Sequence, residues 1–324
     1  MRPFYVTRPF QSIGRRADCN PLRALVRIRQ LGRCARFGAS AILLAALSSM
    51  SCATVAQKPE PPAWLAMPAS AWAAECANNE VDVIEHKGSY LRYRLHTVDE
   101  KNDVVRDQIE TPEGTVSRLV QRNGRPLTQE EEAAERDRLL SLAASPGAFA
   151  RHARRDQENK KMGVELVKMM PSAMLWSYAP GQPQLSNQHD AAPALVVLDF
   201  KPNPGWSPPN LESDLLTGLE GRVWIDPGSG HMVHMEARLF HAVNIGWGML
   251  AHIYPGGTAT VEQVNAGSQR WLVKHIVEQL TVQALVVRIV KQRLVSDATD
   301  VQPVPPMGYQ QAVKMLLDKS SPSR

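Results

Sequence analysis

The residues that could do chemistry lie in the second half of the chain. His231, His234 and Glu236 fall close together, with His241 and His252 further on. Imidazole and carboxylate groups in such company ligate zinc-like metals or move protons. The surrounding alternation predicts a strand, however, and on a strand residues an odd number of positions apart point to opposite faces. His231 and His234 are therefore a poor chelate. His234 and Glu236 share a face but lack a third ligand, so they read as a polar pair on the solvent side and no metal site is expected.

Asp226-Pro227-Gly228-Ser229-Gly230-His231 brings an acid, a hydroxyl and an imidazole together in sequence, the residue types of a nucleophilic triad. A turn accounts for them more simply. Asp and Pro initiate turns, Gly tolerates positive φ, and Ser tolerates exposure. The chain has no G-x-S-x-G elbow, no H-E-x-x-H and no C-x-x-C. Gly256-Gly257-Thr258 has neither a following helix pattern nor a Walker lysine, so it reads as a loop entering a strand. No catalytic residue and no cofactor site is expected. If an activity exists, His234 with Glu236 is the first pair to test. Gly246-Trp247-Gly248 reads as a bend in which Trp247 plugs the end of a sheet, or alternatively clamps a ligand.

These residues belong to a chain of 324 residues with 44% hydrophobic and 21% charged content, a globular composition. The net charge of +5 invites a nucleic-acid reading, but the first 36 residues hold nine Arg against one Asp. The remainder then has 28 basic and 31 acidic residues, a balance of −3, so nucleic acid is not expected as a partner. The Arg-rich start, the apolar run Gly38 to Leu47 and the small residues Ser48 to Ala53 form an export signal. The run is shorter than the about 20 residues that a spanning helix needs. The signal implies a periplasmic or envelope location, with cleavage after Ala56 as the favoured reading. Lipidation at Cys52 is the alternative, although Ser49 stands where a lipobox places an aliphatic residue. Cys19 and Cys34 fall in the leader, and Cys76 reads as a buried small hydrophobe rather than a reactive thiol.

The elements that must position these groups follow in order. Residues 1–56 are the leader. Residues 57–80 form a Pro-rich tether and a short helix over Pro68 to Ala77 that ends near Asn78-Asn79. Residues 81–319 are one strand-rich domain, and 320–324 a disordered tail. Strands are predicted from Ser89 to Thr97, Asp103 to Thr111 and Thr115 to Arg122, the last two joined at Pro112-Glu113-Gly114. Asn123-Gly124 makes a tight turn before Thr128-Gln129-Glu130-Glu131, a capping box. Helices then run from Glu130 to Met170, broken at Ser145-Pro146-Gly147 and stopped by Pro171. Further strands cover Ala194 to Lys201, Gly221 to Pro227, His231 to Leu239, Thr258 to Val264, Arg270 to Leu280 and Val282 to Val295, before a helix over Tyr309 to Leu317. In His231 to Leu239, Val233, Met235, Ala237 and Leu239 share one face against His234, Glu236 and Arg238, giving a dry and a wet sheet face.

Gly221-Arg222-Val223-Trp224-Ile225-Asp226-Pro227, with Gly230 and the strand after it, resembles the strand, turn and strand of the LolA-like superfamily. These are the periplasmic carriers and receptors of outer-membrane lipoprotein sorting and related regulators of envelope stress. Asn123-Gly124-Arg125-Pro126-Leu127-Thr128, Pro202-Asn203-Pro204 and Val243-Asn244-Ile245-Gly246-Trp247-Gly248 are also similar to a group of exported acidobacterial proteins, a likeness that implies no activity. The LolA-like resemblance implies an α+β fold, a curved antiparallel sheet forming a half-open barrel covered by helices, with an apolar cavity for acyl chains and no catalytic residue. The arginine that gates cavity closure in the carriers has no position matched by the sequence.

The expected function is non-catalytic binding of a lipid, a lipoprotein acyl chain or another apolar ligand between sheet and helices. Val223, Ile225, Val233, Met235, Ala237, Leu239 and Trp247 are the candidate lining residues. The alternative is a structural or regulatory envelope protein whose sheet is filled by its own core, and which contacts a protein partner through Trp206 in the Pro-rich loop.

Overall fold

The period-two segments assemble into one large antiparallel sheet. The computed structural model describes residues 66–85, 89–182, 195–245, 251–267, 269–284 and 288–318. The leader, most of the tether, Cys52, Trp247 and the tail lie outside the described residues. The first half contains α1 (Ala69–Glu85), β1 (Tyr90–Val98), β2 (Asp103–Thr111), β3 (Gly114–Arg122) and β4 (Arg125–Pro126). Next come α2 (Gln129–Ala144), α3 (Pro146–Ala173), β5 (Met174–Tyr178) and β6 (Val196–Pro202). After a 3-10 turn at Glu212–Gly218 follow β7 (Leu219–Ile225), β8 (Met232–Leu239), β9 (Val243–Ile245) and β10 (Ala251–Ile253). The chain finishes with β11 (Thr258–Asn265), β12 (Trp271–Ala284), β13 (Arg288–Val304) and α4 (Tyr309–Leu317). The fold is α+β, an open sheet in the order β4-β3-β2-β1-β13-β12-β11-β8-β7-β6-β5, with β9 and β10 attached beside β12.

Several local signals act as read. Asn123 and Gly124 both take positive φ, 52° and 71°, which matches the twist of a two-residue hairpin turn. Thr128 Oγ1 accepts from the Glu131 amide, while the Glu131 carboxylate accepts from the Thr128 amide at 2.8 Å, so α2 starts at a complete capping box. Ser145 caps α3 and Pro146 opens it.

Four local expectations are corrected. α1 does not stop at Asn78-Asn79 but continues to Glu85, because Trp72, Cys76, Glu80 and Val83 bury one continuous face and packing outweighs the weak helix preference of Asn. α3 passes through Pro171 to Ala173; a proline so near the end removes one helical hydrogen bond without breaking the last turn. β12 runs through Thr281, the expected break, because its distal part pairs with β10 on one side and β13 on the other. Finally, β8 bulges: Trp224 pairs with His234 but Ile225 with Met232. The extra residue, Val233, drops out of the alternation, and Met232 takes the buried place beside Ile225.

The two ends of the sheet are covered on opposite faces. Leu198, Val223, Met235, Val261 and Ile276 are successive cross-strand partners, and they form the face on which Trp72 and Cys76 of α1 are packed. At the other end, Ile109 and Val116 oppose one another and pack with Leu139 of α2, Phe149 of α3, and Tyr309, Val313 and Leu316 of α4. Strand parity puts Ile109 on the reverse face from Glu110 and Leu91, and Leu91 belongs to the α1 side of the sheet. α3 serves both ends, with Phe149 and Ala153 in the second cluster and its Met169, Met170 and Ala173 against Phe200 and Ala237 of the first face. The backbone edge of β3 is satisfied by side chains: Glu135 accepts from the Leu119 amide, and Arg138 donates to the Ser117 carbonyl.

Candidate apolar-ligand site

The candidate lining residues divide by how completely the protein covers them. Val223 and Ile225 lie under α1, sealed against Trp72 and Cys76. Ala237 is buried against Phe200 and Leu216, and Leu239 against Val243 and Ile253. Val233 is the bulge residue and Trp247 lies outside the described residues. Met235 alone among them is only half-buried on the dry face.

Around Met235 the dry face continues beyond the covering helices. Ala259 and Ile276, then Leu280, Val282, Val290 and Leu294 of the long β12–β13 hairpin, extend it and remain half-buried. The register places Glu278 within this strip, opposite Ala259 on one side and Leu294 on the other. Burial pushes the Glu278 carboxyl above the ordinary range. A cavity of about 420 Å³ opens here, lined by Glu278, Leu280, Val290 and Leu294 together with residues of the β1–β2 turn. On the helix side Leu166, Met169 and Met170 border the strip through the cluster at Phe200 and Ala237. Methionine side chains fill irregular apolar surfaces and adapt to different shapes.

A polar seam ties α1 to the sheet at the other margin of this face. Glu80, buried in α1, accepts from the Met232 amide at 3.0 Å and from the Gln263 side chain. His231 Nδ1 stands 3.5 Å from the same carboxylate, with its ring stacked on Trp271 at 4.9 Å. Arg270 donates to Glu110 at 3.0 and 3.2 Å, and to the Val83 carbonyl of α1 at 3.4 Å. Glu110 also accepts from the Leu91 amide at 3.0 Å. Arg270 is thus a buried arginine joined to the covering helix, in a position the sequence did not single out. Its lone charge between Gln269 and Trp271 carries no periodic or motif signal, and its partner stands 160 residues away.

The groups that suggested chemistry are used elsewhere. Ser229 Oγ donates to Asp226 at 2.6 Å, and the Gly228 and Gly230 amides bond back to Asp226, while His231 turns to Glu80 instead. On the wet face His234 pairs with Glu236 at 3.2 Å, His275 with Asp297 at 2.5 Å and His96 with Asp103 at 2.8 Å. Among the described residues no group of three or more His, Cys, Asp or Glu could hold a metal ion. Cys76 lies on the buried face of α1, and burial first, then Glu80, pushes its thiol up. Trp206 is half-buried against the cluster at Ala173 and Phe200. Among the described residues no helix is long and apolar enough to cross a membrane.

With this geometry in hand, comparison with known proteins adds no assignment: no protein-family model, no curated protein and no solved structure matches the chain.

Proposed function

We propose that this is an exported, non-catalytic protein of the bacterial envelope that binds a lipid, a lipoprotein acyl chain or another apolar ligand on the dry face of its sheet, in a half-open, LolA-like arrangement. The observation that carries the reading is the incomplete cover of that face. α1 seals Val223 and Ile225, whereas Met235, Ile276, Leu280 and Leu294 continue the same apolar surface only half-buried. A core filled by its own side chains has no such overhang. The Met169 and Met170 side chains at its border suit a chain of variable shape. Arg270, holding α1 by its Val83 carbonyl, supports a role for α1 as the fixed cover.

Native mass spectrometry of protein isolated from the cell envelope tests this directly. Adducts with the mass of lipids, lost after Met235→Glu or Ile276→Glu in a folded protein, are expected. Protein that carries no lipid and takes none up from mixed micelles would sink the reading. The alternative, a partner-binding envelope protein, has less support because Trp206, its proposed anchor, packs against its own core. The mass of the native N-terminus tests export: a start near Gln57 or an acylated Cys52 is expected, and an intact Met1 in the cytosol would refute it.

A further inference from the structure

The apolar strip carries one carboxylate whose presence a purely hydrocarbon ligand does not explain. Glu278 stands on the dry face between Ile276 and Leu280 along β12, with Leu294 opposite. It has no hydrogen-bond or ion-pair partner among the described residues. An unpaired carboxylate on an apolar surface is destabilising unless something meets it. The other two acids of the same cavity are already used. Asp99 accepts from the Lys101 and Asn102 amides at 2.7 and 2.8 Å, and Glu100 accepts from the Arg293 amide. Lys101, Lys291 and Arg293 also line the cavity; Lys101 stands beside Asp99, whose carboxyl it helps to lower, whereas the Lys291 and Arg293 side chains have no carboxylate partner among the described residues. Lys291 and Arg293 alternate with Val290 and Leu294 along β13, so they leave the strand on the face opposite Glu278 and border the cavity at its open edge.

The cavity therefore offers a free anionic group inside, free cationic groups at the rim, and an apolar wall of Leu280, Val290 and Leu294. We infer that it takes the zwitterionic head of an aminophospholipid, with the ammonium on Glu278, the phosphate at Lys291 and Arg293, and the chain along the apolar strip. This rests on the apolar-ligand reading above and names the class of ligand. A headgroup without an ammonium leaves Glu278 unmet, and one with a quaternary ammonium brings no N–H donor to it. A volume of about 420 Å³ accommodates a headgroup and the first part of a chain.

The test uses short-chain phospholipids below their micellar concentration, with identical dihexanoyl chains and ethanolamine, choline or glycerol heads, titrated into the purified protein by calorimetry. Ethanolamine is expected to bind about tenfold more tightly than glycerol. Glu278→Gln should abolish that preference while leaving glycerol-head binding unchanged, and Lys291→Gln/Arg293→Gln should weaken all three. Free phosphoethanolamine, which lacks the chain, is expected not to bind. If it binds as well as the lipid, the site serves a soluble metabolite and the inference fails. Equal affinity for the three heads, or a preference that survives Glu278→Gln, overturns the headgroup assignment but leaves the apolar-ligand reading standing. If none of the three lipids binds, both readings fall together.

Discussion

Arg270→Met is the substitution whose cost can be worked most fully from the structure. Arg270 and Glu110 are both only 3% exposed, and their two hydrogen bonds measure 3.0 and 3.2 Å. Methionine keeps the aliphatic stem but removes the charge, which takes both Arg270 hydrogen bonds away from the buried Glu110 carboxylate. Breaking a buried pair in this way costs about 3–5 kcal/mol. The Leu91 amide, 3.0 Å from Glu110, still meets the carboxylate and offsets about 1 kcal/mol of that, so a loss of about 2–4 kcal/mol is expected. Glu110→Gln/Arg270→Met strands no charge and keeps an acceptor for Leu91. The double variant should therefore lose only about 1–2 kcal/mol, a coupling of roughly 2 kcal/mol in the double-mutant cycle. Urea unfolding followed by tryptophan fluorescence, extrapolated linearly, gives each value. A loss below about 1 kcal/mol for the single variant, or a double variant as unstable as the sum of the singles, would refute the claim that these charges depend on one another.

Three further outcomes follow from particular contacts. Gly221→Ala drives a Cβ into the Glu236 carbonyl and to 2.8 Å from Phe200, so a loss above about 3 kcal/mol is expected, against about 1 kcal/mol for Gly124→Ala, where positive φ is the only obstacle; similar urea midpoints for the two would contradict this. The Glu278 carboxyl is raised by burial, so it favours the folded state when protonated, and that contribution is lost as pH rises through the folded pKa. Glu278→Gln should thus be more stable than wild type at neutral pH and equal to it below the glutamate range, near about pH 4; a difference independent of pH would count against the assignment. The Cys76 thiol, buried and raised, should react with a disulfide reagent only after unfolding, and rapid labelling of the native protein would show that α1 does not seal it.

Much of the local structure was legible. The capping box at Thr128 and Glu131, the turn at Asn123-Gly124, β2 at Asp103–Thr111 and α4 at Tyr309–Leu317 sit where the residues place them. Each depends on groups a few residues apart, and neighbouring side chains and φ preferences act at that range. β5 went unread because Met174–Tyr178 follows directly on α3 and is too short to show a period. The candidate site was legible only in part. Alternation in β7 and β8 marked Val223, Ile225, Met235, Ala237 and Leu239 as belonging to the dry face, but the bulge at Val233 depends on the partner strand.

The sequence by itself determined the types of most elements, the presence of a wet and a dry sheet face, and the absence of the familiar catalytic motifs. It could not determine which strands are neighbours. β1 pairs with β13, Tyr90 opposite Val304, and Glu80 meets Met232 across 152 residues. Only the tertiary structure decided that α1 seals Val223 and Ile225 yet leaves Met235, Ile276 and Leu294 half-covered, and that Arg270 is buried with Glu110 rather than solvated. The reason is physical: a side chain's period reports that it has an inside, whereas what lies inside is set by contacts between segments whose separation along the chain carries no trace in either of them.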